Sequence, residues 1–176
     1  HSQNERRTEA RLSADIMPYV GAKRDCLYVF DGPAVLYRTT GTCLPTRYLY
    51  PDHLNNGLEI HSLEVDQPTE IARILANRPG VIVTADRPMT VQRTENLGLI
   101  REATQSGYVP LTTASLHHRE VTAWVRRDLA RRGWVATGLR GGRLEGVGGT
   151  GEHPLHVAAH RGQRADGRDG DERQDQ

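Results

Sequence analysis

Apolar residues along this chain recur with two different periods, and the switches between them outline a fold. Over residues 4–20, Leu12, Ile16 and Val20 repeat every four residues, which makes one apolar stripe of a helix. Ser13 or Asp15 would cap a shorter version of it, and Gly21 marks its stop. Cys26-Leu27-Tyr28-Val29-Phe30 is an unbroken run of strand formers and predicts a buried strand. Asp31-Gly32-Pro33 punctuates that strand, and Pro33 suits the first turn of a helix that begins at Ala34-Val35-Leu36-Tyr37 and ends at Gly41. Residues 42–48 read as a loop, and residues 51–54 as a short helix broken by Gly57. Asp66 is an N-cap ahead of Pro68 and Glu70, and Ile71, Ile74 and Leu75 give the apolar face of a helix to about Asn77. Val81-Ile82-Val83-Thr84 predicts a second buried strand, closed by Ala85-Asp86-Arg87-Pro88. A helix over about 91–105 follows, with Leu97, Ile100 and Ala103 facing inward and Gly107 as its stop. Residues 108–116 and 120–127 read as two strands around His117-His118-Arg119. In the second, Val121, Ala123 and Val125 alternate with Thr122, Trp124 and Arg126, the signature of a half-exposed antiparallel strand.

This order predicts an α/β fold: a small layered domain with a mostly parallel sheet, helices packed on it, and an antiparallel C-terminal hairpin at the edge. The domain spans residues 22–127, after an N-terminal helix or linker at residues 1–21. Residues 128–176 break the pattern. Ten of the 18 glycines fall in residues 138–176, which contain no Ile, Phe, Tyr, Trp or Met. Such a segment buries too little apolar surface to offset its chain entropy, so a disordered Gly/Arg-rich tail is expected. The same bias fits a GC-rich gene translated out of frame, and the two readings stay open.

Composition narrows the function classes. The chain has 176 residues with 23 Lys+Arg against 22 Asp+Glu, a formal net charge of +1, so no basic field argues for nucleic acid as a partner. No run approaches the roughly 18 apolar residues that a spanning helix needs. Two cysteines exclude a disulfide-rich scaffold and a four-cysteine zinc site. The first residue is His1 and no signal-peptide pattern stands at the start, which is read as a fragment of a longer chain.

Residues 25–33 and 42–48, with Pro51-Asp52-His53-Leu54-Asn55 and the run 71–83, give the chain a further character. It resembles the C-terminal extracytoplasmic domain of bacterial membrane glycosyltransferases, in the superfamily of the protein mannosyltransferases and the lipid A aminoarabinose transferase. The likeness covers roughly residues 15–127. It implies a soluble α/β domain on the periplasmic face of the inner membrane, following about a dozen membrane helices of the same polypeptide. It also implies transfer of a sugar from a polyprenyl-phosphate donor, with the essential acidic residues in the membrane part. No catalytic residue and no cofactor is therefore expected here. The partners implied are the membrane-embedded part and a lipid-linked sugar or acceptor.

The residues themselves offer several candidate chemistries. Cys26 opens the first strand, and the helix after Asp31 returns Cys43 to about the same level. A disulfide needs Cα atoms within about 7 Å, so this path permits a bridge, with two separate buried thiols as the other reading. Asp31 and Asp86 each directly follow a predicted strand, where open α/β sheets bind ligands. They would bind sugar hydroxyls or act as an acid/base pair, or serve only as caps to the turns. Arg87 stands beside Asp86, and Arg47 beside Tyr48 is suited to a phosphate or lipid head group. The helix-return geometry puts Arg47 away from Asp31. A free-standing binding or hydrolytic domain that uses the Asp31/Asp86 crevice is the alternative function. His153, His156 and His160 have zinc-like spacing but lie in the Gly-rich tail with nothing to orient them, so no metal site is expected. Neither strand-end loop has a phosphate-cradling glycine motif, and no G-x-S-x-G elbow occurs.

Overall fold

A computed structural model describes residues 2–61 and 64–138. Helix α1 (Gln3–Ile16) starts at a capping box in which Ser2 Oγ accepts from the Glu5 N–H and the Glu5 carboxylate accepts from the Ser2 N–H. Strand β1 (Leu27–Val29) is followed by helix α2 (Val35–Thr40), which ends at Gly41 with φ 64°, a left-handed conformation that glycine adopts without steric cost. Helices α3 (Asp52–Asn55) and α4 (Gln67–Ala76) come next, the latter capped by Asp66, whose carboxylate accepts from the Thr69 N–H. Strand β2 (Val81–Ala85), helix α5 (Thr94–Gly107), strands β3 (Tyr108–Leu116) and β4 (Arg119–Arg126) and helix α6 (Arg127–Gly138) complete the order.

The four strands form one sheet in the order β1-β2-β4-β3. Strands β1 and β2 are parallel, with Leu27 opposite Val81 and Val29 opposite Val83. Strand β4 runs antiparallel to both β2 and β3. The α/β class and the edge hairpin are as the sequence predicts, but parallel pairing is confined to one pair of strands. Of the strands that lie side by side, only β1 and β2 follow one another through helices; α5 leads from β2 into the β3–β4 hairpin, which supplies the other half of the sheet.

Side-chain alternation divides the core into two layers. Leu27, Val29, Val81, Val83, Val121, Ala123 and Val125 face Leu12 and Ile16 of α1 and Leu36 of α2. Tyr28, Phe30 and Ile82 face Leu54, Ile71, Ile74 and Ile100 on α3, α4 and α5. Helices thus cover both faces of the sheet.

The outer edge of β1 is closed by side chains from the segment after it. The Leu27 N–H donates to Thr42 Oγ1 at 2.8 Å and the Val29 N–H to the Tyr37 hydroxyl at 2.9 Å. Burial pushes the Tyr37 hydroxyl up to about 12. Cys26 and Cys43 form a disulfide across the same edge, their Cα atoms 4.9 Å apart.

The expected tail begins too early. Residues 127–138 form α6, whose Leu129 and Ala130 pack against the α1-side core. Gly133 lies against the Tyr19 ring, where a Cβ would stand 2.9 Å from the hydroxyl oxygen, so this glycine permits a close contact instead of breaking the helix. The rest of the expected tail, with His153, His156 and His160, lies outside the described residues. Among the described residues no helix is long and apolar enough to cross a membrane.

Candidate functional site

Three turns meet at the carboxyl end of the parallel pair: residues 31–33 after β1, 86–90 after β2, and the His117-His118 turn between β3 and β4. Both turn histidines have positive φ, 51° and 61°. A two-residue hairpin turn of this hand demands that conformation at both central positions and normally takes Asn-Gly. Here two Cβ-bearing residues hold it, at a steric cost. His117 Nε2 lies 3.6 Å from the Glu5 carboxylate on α1.

Arg119, the first residue of β4, ties the three turns together. Its Nη1 donates to Asp31 Oδ1 at 2.8 Å and to the Arg87 carbonyl at 2.9 Å. The two side chains of this ion pair are only 11% and 9% exposed. Gln92 Nε2 donates to the other oxygen of Asp31 at 2.9 Å. The Arg87 guanidinium in turn reaches the His118 carbonyl.

A crevice opens at this end in two adjoining lobes. The smaller, about 210 Å³, is bounded by Asp31, Tyr50, Asp52, Asn55 and Arg119. The larger, about 460 Å³, has apolar walls from Pro33, Val35, Leu116 and Val121, with Arg6 and Glu9 of α1 at its rim. Gly32, Ala34, Met89 and Arg119 line both. A buried amide network sets the wall of the small lobe. Asn96 Nδ2 donates to Gln67 Oε1 and the Leu54 carbonyl, and Gln67 Nε2 donates to the His53 and Asn56 carbonyls. Asn55 Nδ2 donates to the Phe30 carbonyl at 2.8 Å. These bonds clamp α3 between the end of β1 and helices α4 and α5.

Of the residues singled out in the sequence, Asp31, Asp86 and Arg87 are brought to this end. Asp31 lines the small lobe. Asp86 lines neither lobe: its Oδ1 accepts from the Glu120 N–H at 2.9 Å and pins the start of β4 to the end of β2. Arg47 and Tyr48 lie apart, in a cleft with Asp66, Glu70 and Arg73. There Arg47 Nη2 donates to the Tyr48 hydroxyl at 2.8 Å, a bond that raises the guanidinium's pKa. Hydrogen bonds from Arg73 hold the Glu70 carboxyl below its usual value. Sequence reasoning did not single out Arg119, Asn55, Gln92 or Tyr50. Arg119 lies 88 positions from Asp31, and nothing local marks the pair. Among the described residues no three His, Cys, Asp or Glu side chains are grouped to hold a metal ion. The chain matches no protein-family model, no curated protein and no solved structure.

Proposed function

We propose that this chain is the soluble extracytoplasmic accessory domain of an integral-membrane glycosyltransferase that uses a polyprenyl-phosphate-linked sugar. The catalytic residues belong to the membrane-embedded part of the same polypeptide. One observation carries the reading. The Cys26–Cys43 bridge joins the two segments, 25–33 and 42–48, on which the glycosyltransferase resemblance rests. Such bridges persist in oxidising compartments, which supports the periplasmic face of a bacterial inner membrane. The engagement of Asp31 by Arg119 and of Asp86 by the Glu120 N–H supports a supporting role over acid/base chemistry in this domain.

The test uses the complete gene product in membranes. Sugar transfer from a polyprenyl-phosphate donor is expected, and Asp86→Asn should leave it within about twofold, whereas loss of a general acid or base costs about 10²–10⁴-fold. Membranes that transfer no sugar, or cysteines recovered reduced from intact cells, would sink the reading. The crevice itself favours a second reading, a free-standing binding domain. Binding of a small ligand by a chain that is not linked to any membrane segment would establish that one.

A further inference from the structure

We infer that the crevice at the carboxyl end of the β1–β2 pair binds a single sugar ring carrying an apolar chain, the ring in the small lobe and the chain in the large one. The inference rests on the proposed function for its role in the cell, but its test does not depend on a transferase.

The small lobe has the volume of one ring. At about 210 Å³ it falls below the roughly 300–1,000 Å³ of pockets that hold drug-sized ligands. Its polar groups converge as a polyhydroxylated ring requires. Asn55 is 2% exposed, and its side-chain carbonyl oxygen is buried without a hydrogen-bond partner among the described residues. Arg119 Nε is buried in the same condition. One atom accepts and the other donates, and a hydroxyl group does both. Asp31 keeps unused lone pairs, since an ionised carboxylate offers about four acceptor sites and two are engaged. Asp52 adds a second carboxylate at the start of α3. Buried polar atoms without partners are rare in folded proteins, and the two residues that carry these, Asn55 and Arg119, both line one small cavity, which points to a ligand that satisfies them.

An aromatic face completes the lobe. Tyr50 is 67% exposed, and one edge contact to His53, with centroids 5.5 Å apart, orients its ring. A sugar ring presents apolar C–H faces and a polar rim, so it stacks on such a ring while its hydroxyls reach Asn55 and Arg119. The adjoining lobe differs in chemistry. Its apolar walls have no use for hydroxyls, yet it adjoins the first lobe and shares Gly32, Ala34, Met89 and Arg119 with it. Met89 is 70% exposed at the boundary, a flexible apolar side chain that adapts to a chain passing beneath it. A free sugar would leave this lobe in contact with water, and a plain hydrocarbon would leave the polar lobe unmatched. An amphiphile with one sugar head fills both.

Titration of the oxidised 176-residue chain, followed by amide NMR shifts, tests this directly. The probes are octyl glucoside, octyl galactoside and octyl mannoside below their micelle-forming concentrations, with the three methyl glycosides and octanol as comparisons. At least one octyl glycoside should bind about tenfold or more tightly than both its methyl glycoside and octanol, shifting the amides of Gly32, Tyr50 and Asn55. Tyr50→Ala should reduce that affinity to the octanol level, and Tyr50→Phe should retain it. Val35→Gln should reduce it to the methyl-glycoside level. If every octyl glycoside binds no better than octanol, no better than its methyl glycoside, or not at all to the folded protein, the inference is overturned. The transfer assay on membranes decides the broader function independently of this result.

Discussion

Removing the Cys26–Cys43 bridge should destabilise the domain by about 3 kcal/mol. The bridge closes a loop between residues 17 positions apart, and the chain-entropy relation for a loop of that size gives about 3 kcal/mol at room temperature. The folded state should change little when the bridge is lost. Both cysteines are half-buried, so serine fits without stranding a hydroxyl in the core. The Cys43 N–H keeps its bond to the Gly21 carbonyl at 2.7 Å, and Leu27 keeps its bond to Thr42. The cost therefore falls mainly on the unfolded chain, which gains freedom when the loop opens. Urea unfolding of the Cys26→Ser/Cys43→Ser variant against the oxidised protein measures it. The midpoint should fall while the slope stays the same or rises slightly, because an unbridged chain exposes more surface. The melting temperature should drop by roughly 10 °C or somewhat more for a domain of this size. Reduction of the native protein should reproduce the variant. A loss below about 1 kcal/mol would refute the loop argument. Two titratable thiols in protein prepared under oxidising conditions would refute the bridge itself.

Three further measurements probe the crevice, the hairpin turn beside it and an ion pair at the opposite end of β4. Arg119→Met leaves Asp31 buried with Gln92 as its remaining partner, which should cost about 3–5 kcal/mol in denaturant unfolding; a loss under 1 kcal/mol would show that Asp31 does not depend on this pair. Replacing His117-His118 by Asn-Gly relieves two positive-φ positions and should raise stability by about 1–2 kcal/mol, so an unchanged or lower melting temperature would argue against the left-handed turn. The Arg126 guanidinium bonded to Asp128 holds its carboxyl at about 2, below the ordinary 3.8. A lowered folded-state value means that the stabilisation is complete above the unfolded pKa and disappears as pH falls from about 5 through 2. Carboxyl-carbon NMR should place the Asp128 titration near 2, and Asp128→Asn should flatten the acid limb of the stability profile.

Much of the architecture is written in local patterns. The two buried runs at 26–30 and 81–84 became β1 and β2, and the period-two alternation from Val121 to Val125 gave the face of β4 that packs on α1. What escaped was information carried between distant positions. That β4 inserts beside β2, placing β3 at the edge, depends on which strand of the hairpin docks, which no local pattern specifies. Helix α6 was hidden because the glycine-rich composition that follows it dominates any average taken from residue 128. Gly133 looks like a breaker until Tyr19, more than a hundred residues earlier, is seen to pack on it. The site shows the same division. Asp31 was visible because it directly follows a strand. Arg119 and Asn55 were not, because they meet Asp31 only after three turns and α3 have been folded onto one end of the sheet.

The way the sheet ends are finished bears on where partners meet this domain. Strand β1 is an edge strand, and an open edge is a template for adding another strand. Two of its outward N–H groups are already taken by Thr42 and Tyr37, and the disulfide fastens the covering segment in place. At the opposite edge, β3 carries Pro110, which has no N–H to donate, and the register shifts between Pro110 and Thr112. Helix α1 packs beside that strand, with Thr112 donating to the Asp15 carboxylate at 3.1 Å. Strand addition is thus disfavoured at both edges, and each face of the sheet is covered by helices. The exposed apolar side chains concentrate elsewhere. Tyr50, Leu58, Met89 and Val91 are each at least 66% exposed, and they sit on two loops joined by the Gly57 N–H to Val91 carbonyl bond and the Asn56–Gln92 bridge. Those loops frame the crevice. An apolar rim around a partly polar pocket, on a domain whose edges and faces are closed, leaves the carboxyl end of β1 and β2 as the open apolar surface, where the inferred ligand site lies.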